Sequence, residues 1–131
     1  MNRMPSLFTC RALIAATLLT SPLMIAPVSA AAESAFNGTW SVLIITNSGP
    51  CDRAYRYPVR VSNGRVSYAG QADFDVAGRV ASNGAVNVTV SKGSQRASGS
   101  GRLYGASGSG TWRGSGSSGT CAGQWTAEKR G

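Results

Sequence analysis

RAYRYPVRVSNGRVSY, residues 53–68, holds a strand, a turn and a return strand within sixteen residues. Asn63-Gly64 between two alternating apolar runs is the strongest short-range hairpin signal, because both central residues of a type I′ turn need positive φ. Pairing outward from that turn sets Val61 opposite Val66, Val59 opposite Tyr68 and Tyr57 opposite Gly70 on one face. The other face carries Ser62 opposite Arg65 and Arg60 opposite Ser67, with Arg56 further along. One side is apolar and the other basic, so the register is self-consistent.

Outward from this hairpin the same alternation continues. Phe36-Asn37-Gly38-Thr39-Trp40 opens a first strand, Trp40 to Thr46, with apolar residues on both faces, which predicts cover on both. Asn47-Ser48-Gly49-Pro50 breaks it. After the hairpin, Phe74, Val76, Gly78 and Val80 share one parity against Asp73, Asp75 and Arg79. Val86, Val88 and Val90 then alternate with Asn87, Thr89 and Ser91. A two-residue loop at Asn83-Gly84 would oppose Val80 to Asn87, mixing the faces. A three-residue loop, Ser82-Asn83-Gly84 with Gly84 at positive φ, pairs Val80 with Val86 and Val76 with Val90, and is the expected connection.

From Gly93 to Gly123 the composition shifts to 10 Gly and 8 Ser in 31 residues. This resembles a flexible linker, yet large residues recur on a period-two grid with the glycines: Leu103 with Gly99 and Gly101, Trp112 with Gly110 and Gly114, Trp125 with Gly119 and Gly123. A final strand, Thr120 to Glu128, follows. Eight candidate strands with closely spaced turns and no helical periodicity after residue 30 predict an all-β fold, an antiparallel eight-stranded up-and-down β-barrel; a two-sheet β-sandwich is the alternative.

The N-terminus reads differently. Arg3 and Arg11 precede an apolar run, Ala12 to Pro27, and Val28-Ser29-Ala30 supplies small residues for a signal peptidase. A signal peptide over 1–30 is expected, with cleavage after Ala30 or, alternatively, Ala32. The interrupted run is short of the ~20 apolar residues of a spanning helix, so no membrane span is expected and the destination is the periplasm or the exterior. Residues 31–131 then form a single disulfide-linked barrel domain with eleven basic against five acidic residues, +6. Cys10 leaves with the leader, and the remaining pair, Cys51 and Cys121, reads as one disulfide joining the two ends of the sheet.

The residue types offer little catalytic chemistry. There is no histidine in the 131 residues, which removes the usual general base and metal ligand. Asp73 and Asp75 stand roughly 6.6 Å apart on one strand face, spaced like a carboxylate pair, but are read as solvated charges. No catalytic residue, cofactor or metal is expected, and no nucleic-acid reader motif accompanies the basic charge. Arg56, Arg60 and Arg65 form a candidate anion-binding patch suited to sulfate, phosphate or carboxylate groups of an anionic glycan or envelope surface. Trp40, Tyr57, Tyr68, Trp112 and Trp125 fall on inward positions beside glycines as a candidate interior aromatic cluster. Such rings either fill the interior or leave room for a small apolar ligand; a filled core is the expectation. For haem, with no histidine present, Tyr57, Tyr68 and Tyr104 are the candidate axial ligands in the mature chain.

Phe36-Asn37-Gly38-Thr39-Trp40-Ser41-Val42, Cys51-Asp52-Arg53-Ala54-Tyr55-Arg56-Tyr57-Pro58-Val59 and Gly123-Gln124-Trp125-Thr126-Ala127-Glu128 resemble small exported Gram-negative bacterial proteins, some labelled as related to haem utilisation or adhesion exoproteins. The Gly38-x-Trp40 opening is also similar to the first strand of calycin barrels, among them avidin-like proteins and small periplasmic metalloprotease inhibitors. The first resemblance implies export without an assigned activity, with a haem utilisation or adhesion role as one alternative; the Arg-rich hairpin face and the aromatic interior point to a non-enzymatic binding module. The second implies a calycin-like barrel and, for an inhibitor, a segment from Ala31 to Asn37 that enters a protease cleft.

Overall fold

The computed structural model describes residues 15–22 and 35–131. Apart from the exposed residues 15–22, the leader expected over 1–30 and its cleavage positions lie outside the described residues. Eight strands follow in order: β1 (Gly38–Ser48), β2 (Ala54–Ser62), β3 (Arg65–Tyr68), β4 (Asp75–Val80), β5 (Ala85–Lys92), β6 (Gln95–Tyr104), β7 (Ser107–Gly116) and β8 (Gly119–Lys129). Each pairs antiparallel with the next, and β8 pairs with β1, closing an up-and-down barrel. Among the described residues no helix is long and apolar enough to cross a membrane.

The turns set the register as their residues dictate. Asn63 and Gly64 both take positive φ, 49° and 82°, and Val61↔Val66 and Val59↔Tyr68 face each other as expected. At the second turn Gly84 has φ 91°, the Asn83 side chain accepts from Ala85 N, and Val80↔Val86 and Val76↔Val90 pair. One expected pair does not form. The β2–β3 ladder ends at Val59↔Tyr68, so Tyr57 has no partner in Gly70. The Tyr68 ring folds over Gly70, where an added Cβ would lie 2.5 Å from Tyr68 Cζ, and the chain turns away there.

The glycine-rich third is part of the wall, in β6 to β8, and three of its glycines, Gly101, Gly110 and Gly123, lie beneath indoles. Trp125 on β8 lies across Gly110 of β7 and Gly101 of β6, where an added Cβ would stand 2.6 Å from indole atoms, and its Nε1 donates to Ser100 O on β6 at 3.1 Å. Trp112 on β7 crosses Gly123 of β8 and donates to Ile45 O on β1 at 3.0 Å. Each indole spans one strand and is anchored on the next, and only a residue without a side chain fits beneath it. Gly110→Ala is therefore expected to cost about 1–3 kcal/mol by overpacking. Gly93→Ala, whose site has nothing within 4 Å, carries only the roughly 1 kcal/mol penalty of positive φ. Equilibrium unfolding of the two variants separates them, and equal losses would contradict the packing account.

The two ends of the barrel differ. At one end the turns are linked in series: Val80 N donates to Gly64 O, Leu103 N to Gly84 O, Lys129 N to Ala106 O and Arg130 N to Thr39 O. Phe36 is tucked beneath this ring, its carbonyl accepting from Trp40 Nε1 at 2.9 Å, and Asn37 bonds both the backbone and the side chain of Asn63. The buried core, including Phe36, Trp40, Val61, Val80, Val86, Leu103 and Trp125, collects here. Toward the other end Val42, Ile44, Val59, Val76, Val88 and Trp112 are only partly buried.

That open end is tied by the disulfide Cys51–Cys121, whose Cα atoms are 6.1 Å apart. Buried Thr46 holds the same loop, its hydroxyl donating to Asp52 O at 2.6 Å and its amide to Arg53 O at 2.9 Å. The second covering layer expected over the outer face of β1 is absent among the described residues: Leu43 and Ile45 are half-buried between cross-strand neighbours, Arg56 and Thr126 for Leu43, Ala54 and Gln124 for Ile45.

Candidate functional site

The barrel interior is not filled. A cavity of about 160 Å³ lies between the packed end and the open end, lined by valines of β2 to β5 and by Ile44, Tyr55, Tyr57, Ala97, Trp112 and Trp125. The filled-core expectation fails for a geometric reason. The two indoles lie along the wall over glycines instead of pointing to the centre, so β6 to β8 contribute little volume to the axis. The cavity volume is about that of one aromatic ring.

Period-two alternation decides what surrounds the cavity. On β2 the inward parity is Tyr55, Tyr57, Val59 and Val61, on β4 Val76, Gly78 and Val80 preceded by Phe74, and on β5 Val86, Val88 and Val90. Their outer members form an aromatic rim at the open end. Tyr57 meets Tyr55, Phe74 and Tyr68 edge-on at ring-centroid distances of 5.4, 5.0 and 6.5 Å, and Tyr68 meets Phe74 at 5.4 Å. Edge-to-face pairs of this kind hold rings in fixed orientation. Lys92, the last residue of β5, places its ammonium 5.0 Å from the Phe74 centroid.

Burial, with Tyr55 as the next cause, pushes the Tyr57 hydroxyl up to about 12. It is a neutral donor throughout the physiological range. In an ultraviolet titration Tyr57 should ionise near pH 12, and Tyr57→Phe should remove that late component. Because the folded value lies above the ordinary 10, this group's contribution to stability is complete below pH 10 and is lost as pH climbs from 10 toward 12. Loss of stability confined to lower pH in a Tyr57-dependent manner would contradict the assignment.

Of the five aromatic residues expected inside, Trp40, Trp112, Trp125 and Tyr57 face the interior and Tyr68 stands at the rim, beside the cavity lining. Tyr55, Phe74 and Lys92 were not assigned to the site by sequence reasoning, although all three share the inward parity of neighbours that were. Arg56, Arg60 and Arg65 lie exposed on the outer face. Arg56 reaches Ser41 Oγ at 3.4 Å, and Arg65 faces Arg79 directly across the β3–β4 ladder. Asp73 and Asp75 are exposed. Tyr104 is exposed at the packed end, remote from Tyr57 and Tyr68, and the cavity is far below the volume of a porphyrin. Phe36 and Asn37, the end of the segment an inhibitor would use, are built into the packed end; residues 31–34 lie outside the described residues. Among the described residues no group of three or more His, Cys, Asp or Glu side chains is placed to hold a metal ion.

Compared with family models, curated proteins and solved structures, the chain matches none.

Proposed function

We propose that this protein is a non-catalytic, exported binding module that takes a small apolar ligand into the open end of its barrel. The observation that carries the reading is the apolar cavity of about 160 Å³ behind a tyrosine rim. A concave, largely apolar site with few polar groups is the form small-molecule sites take. The absence of histidine from the sequence and the bridging of Cys51 to Cys121 favour binding over catalysis. Export is supported by the leader-like N-terminus and by the disulfide, which persists in oxidising compartments. The test is titration of the protein with toluene or indole, followed by methyl chemical shifts of Val59, Val76, Val88 and Val90. Saturable shifts with Kd in the range of about 0.1 to 1 mM are expected for ligands of this size, abolished by Ala97→Phe. An unresponsive interior would overturn the reading.

A second reading, an outer surface for anionic glycan, is favoured by one observation: Arg65 and Arg79 face each other with no carboxylate between them. Like charges directly opposite destabilise a ladder, and an anion bridging them relieves the repulsion. Arg65→Ala with Arg79→Ala should elute earlier from a sulfated-polysaccharide column while gaining about 0.2–1 kcal/mol of stability. Unchanged elution discards this surface.

A further inference from the structure

We infer that the ligand of the barrel cavity is an amphiphile with an anionic head, a carboxylate on a single ring or short chain, seated tail-inward with its head at Lys92. This rests on the cavity reading above and adds the chemistry of the head group.

The sequence Val86-x-Val88-x-Val90-x-Lys92 keeps one parity along β5, so the residue that ends the cavity-facing row is a cation instead of a fourth valine. Lys92 pairs with Gln95 across the β5–β6 turn and projects to Phe74, which touches Tyr57 of the lining. An aliphatic stem along apolar surface with its ammonium at the water boundary is the arrangement long cations adopt at such rims. The neighbouring carboxylates take the other parity: Asp73 and Asp75 alternate with Phe74 and Val76 and are exposed. Among the described residues the one ion pair joins Arg130 to Glu128, 3.0 Å apart at the far end of the barrel, so no carboxylate partners Lys92. Asp52 is the least of the causes that raise the Tyr57 hydroxyl, after burial and the neighbouring tyrosines.

The remaining polar groups agree. All three cavity indoles, Trp40, Trp112 and Trp125, already donate to backbone carbonyls, so the interior offers a tail no free donor from them. The Tyr57 hydroxyl is engaged with Tyr55, so the Lys92 ammonium is the donor at the mouth, which suits an acceptor-rich anion there and nothing polar deeper in. The volume sets the tail: one ring fits, a long acyl chain does not.

The test compares toluene, 4-methylbenzoate and 4-methylbenzylamine, which share one apolar body, by titration calorimetry and methyl shifts at pH 7 and low salt. The benzoate should bind roughly three- to tenfold tighter than toluene, and the amine more weakly than either. Lys92→Gln should abolish the preference and leave toluene unchanged. Arg113→Gln, removing the same charge from the outer face, should leave it intact, and Lys92→Glu should reverse it toward the amine. Equal binding of benzoate and toluene, or a preference that survives Lys92→Gln, overturns the inference while leaving the cavity reading standing. Failure of all three probes to bind overturns both.

Discussion

Trp40→Ala is expected to remove about 4 kcal/mol of unfolding free energy, by equilibrium denaturation of the full chain. Trp40 is the one large side chain with essentially no exposure, 1%, and it sits at the centre of the packed end. Truncation leaves a cavity beside Phe36, Val61 and Ala127 and removes the donor that satisfies Phe36 O. An orphaned buried acceptor adds about 1–3 kcal/mol to the cavity cost. For a domain of this size the combined loss corresponds to a fall in Tm on the order of 15–30 °C. Trp40→Phe keeps most of the packing and loses only the hydrogen bond, so its cost should be about 1–2 kcal/mol. Were the alanine variant to lose less than the phenylalanine one, the packed end would not be the seat of stability.

The second large effect is expected from the disulfide. Cys51 and Cys121 are 70 residues apart in sequence, and closing a loop of that length restricts the unfolded chain by roughly 4 kcal/mol in the chain-entropy account. The double variant Cys51→Ala with Cys121→Ala should lose about that much and still fold, because β1 and β8 pair from Trp40↔Lys129 to Ser48↔Ala122 without help from sulfur. Measured by urea unfolding with and without reductant, wild type under reductant should match the double variant. A loss below about 1 kcal/mol would mean that the reduced unfolded chain keeps those ends together by other means.

These two residues also mark how far the sequence could be read. The hairpin at Asn63-Gly64 and the three-residue turn at Ser82-Asn83-Gly84 were legible because a positive-φ requirement and a parity constraint point the same way. Closure of β1 on β8 followed from placing Cys51 and Cys121 at opposite ends of a meander. The glycine grid of β6 to β8 showed that strands were present but not why glycine was needed. For Gly101, Gly110 and Gly123 the reason is an indole one or two strands away in space, and such contacts exist only once the barrel is closed. The same non-local fact hid the cavity, since inward parity says that a ring faces inside and not whether it points at the axis or lies flat. Lys92 was written in the clear, on the row of Val86, Val88 and Val90, but a charge at the end of a strand carries no site signal until the strands beside it are known to make a mouth.

The pairing of β1 with β8 has a further consequence, for force. Thr39 N bonds to Gly131 O, so the two ends of the domain emerge side by side from an antiparallel pair. Tension applied through them peels that pair one hydrogen bond at a time, as a zipper opens, instead of shearing all its bonds together. The peel travels inward until it reaches Cys51 and Cys121, where the covalent link carries the load and the loop behind it, β2 to β7, feels none. A domain of this design yields early and then stops yielding, with most of its sheet still in place.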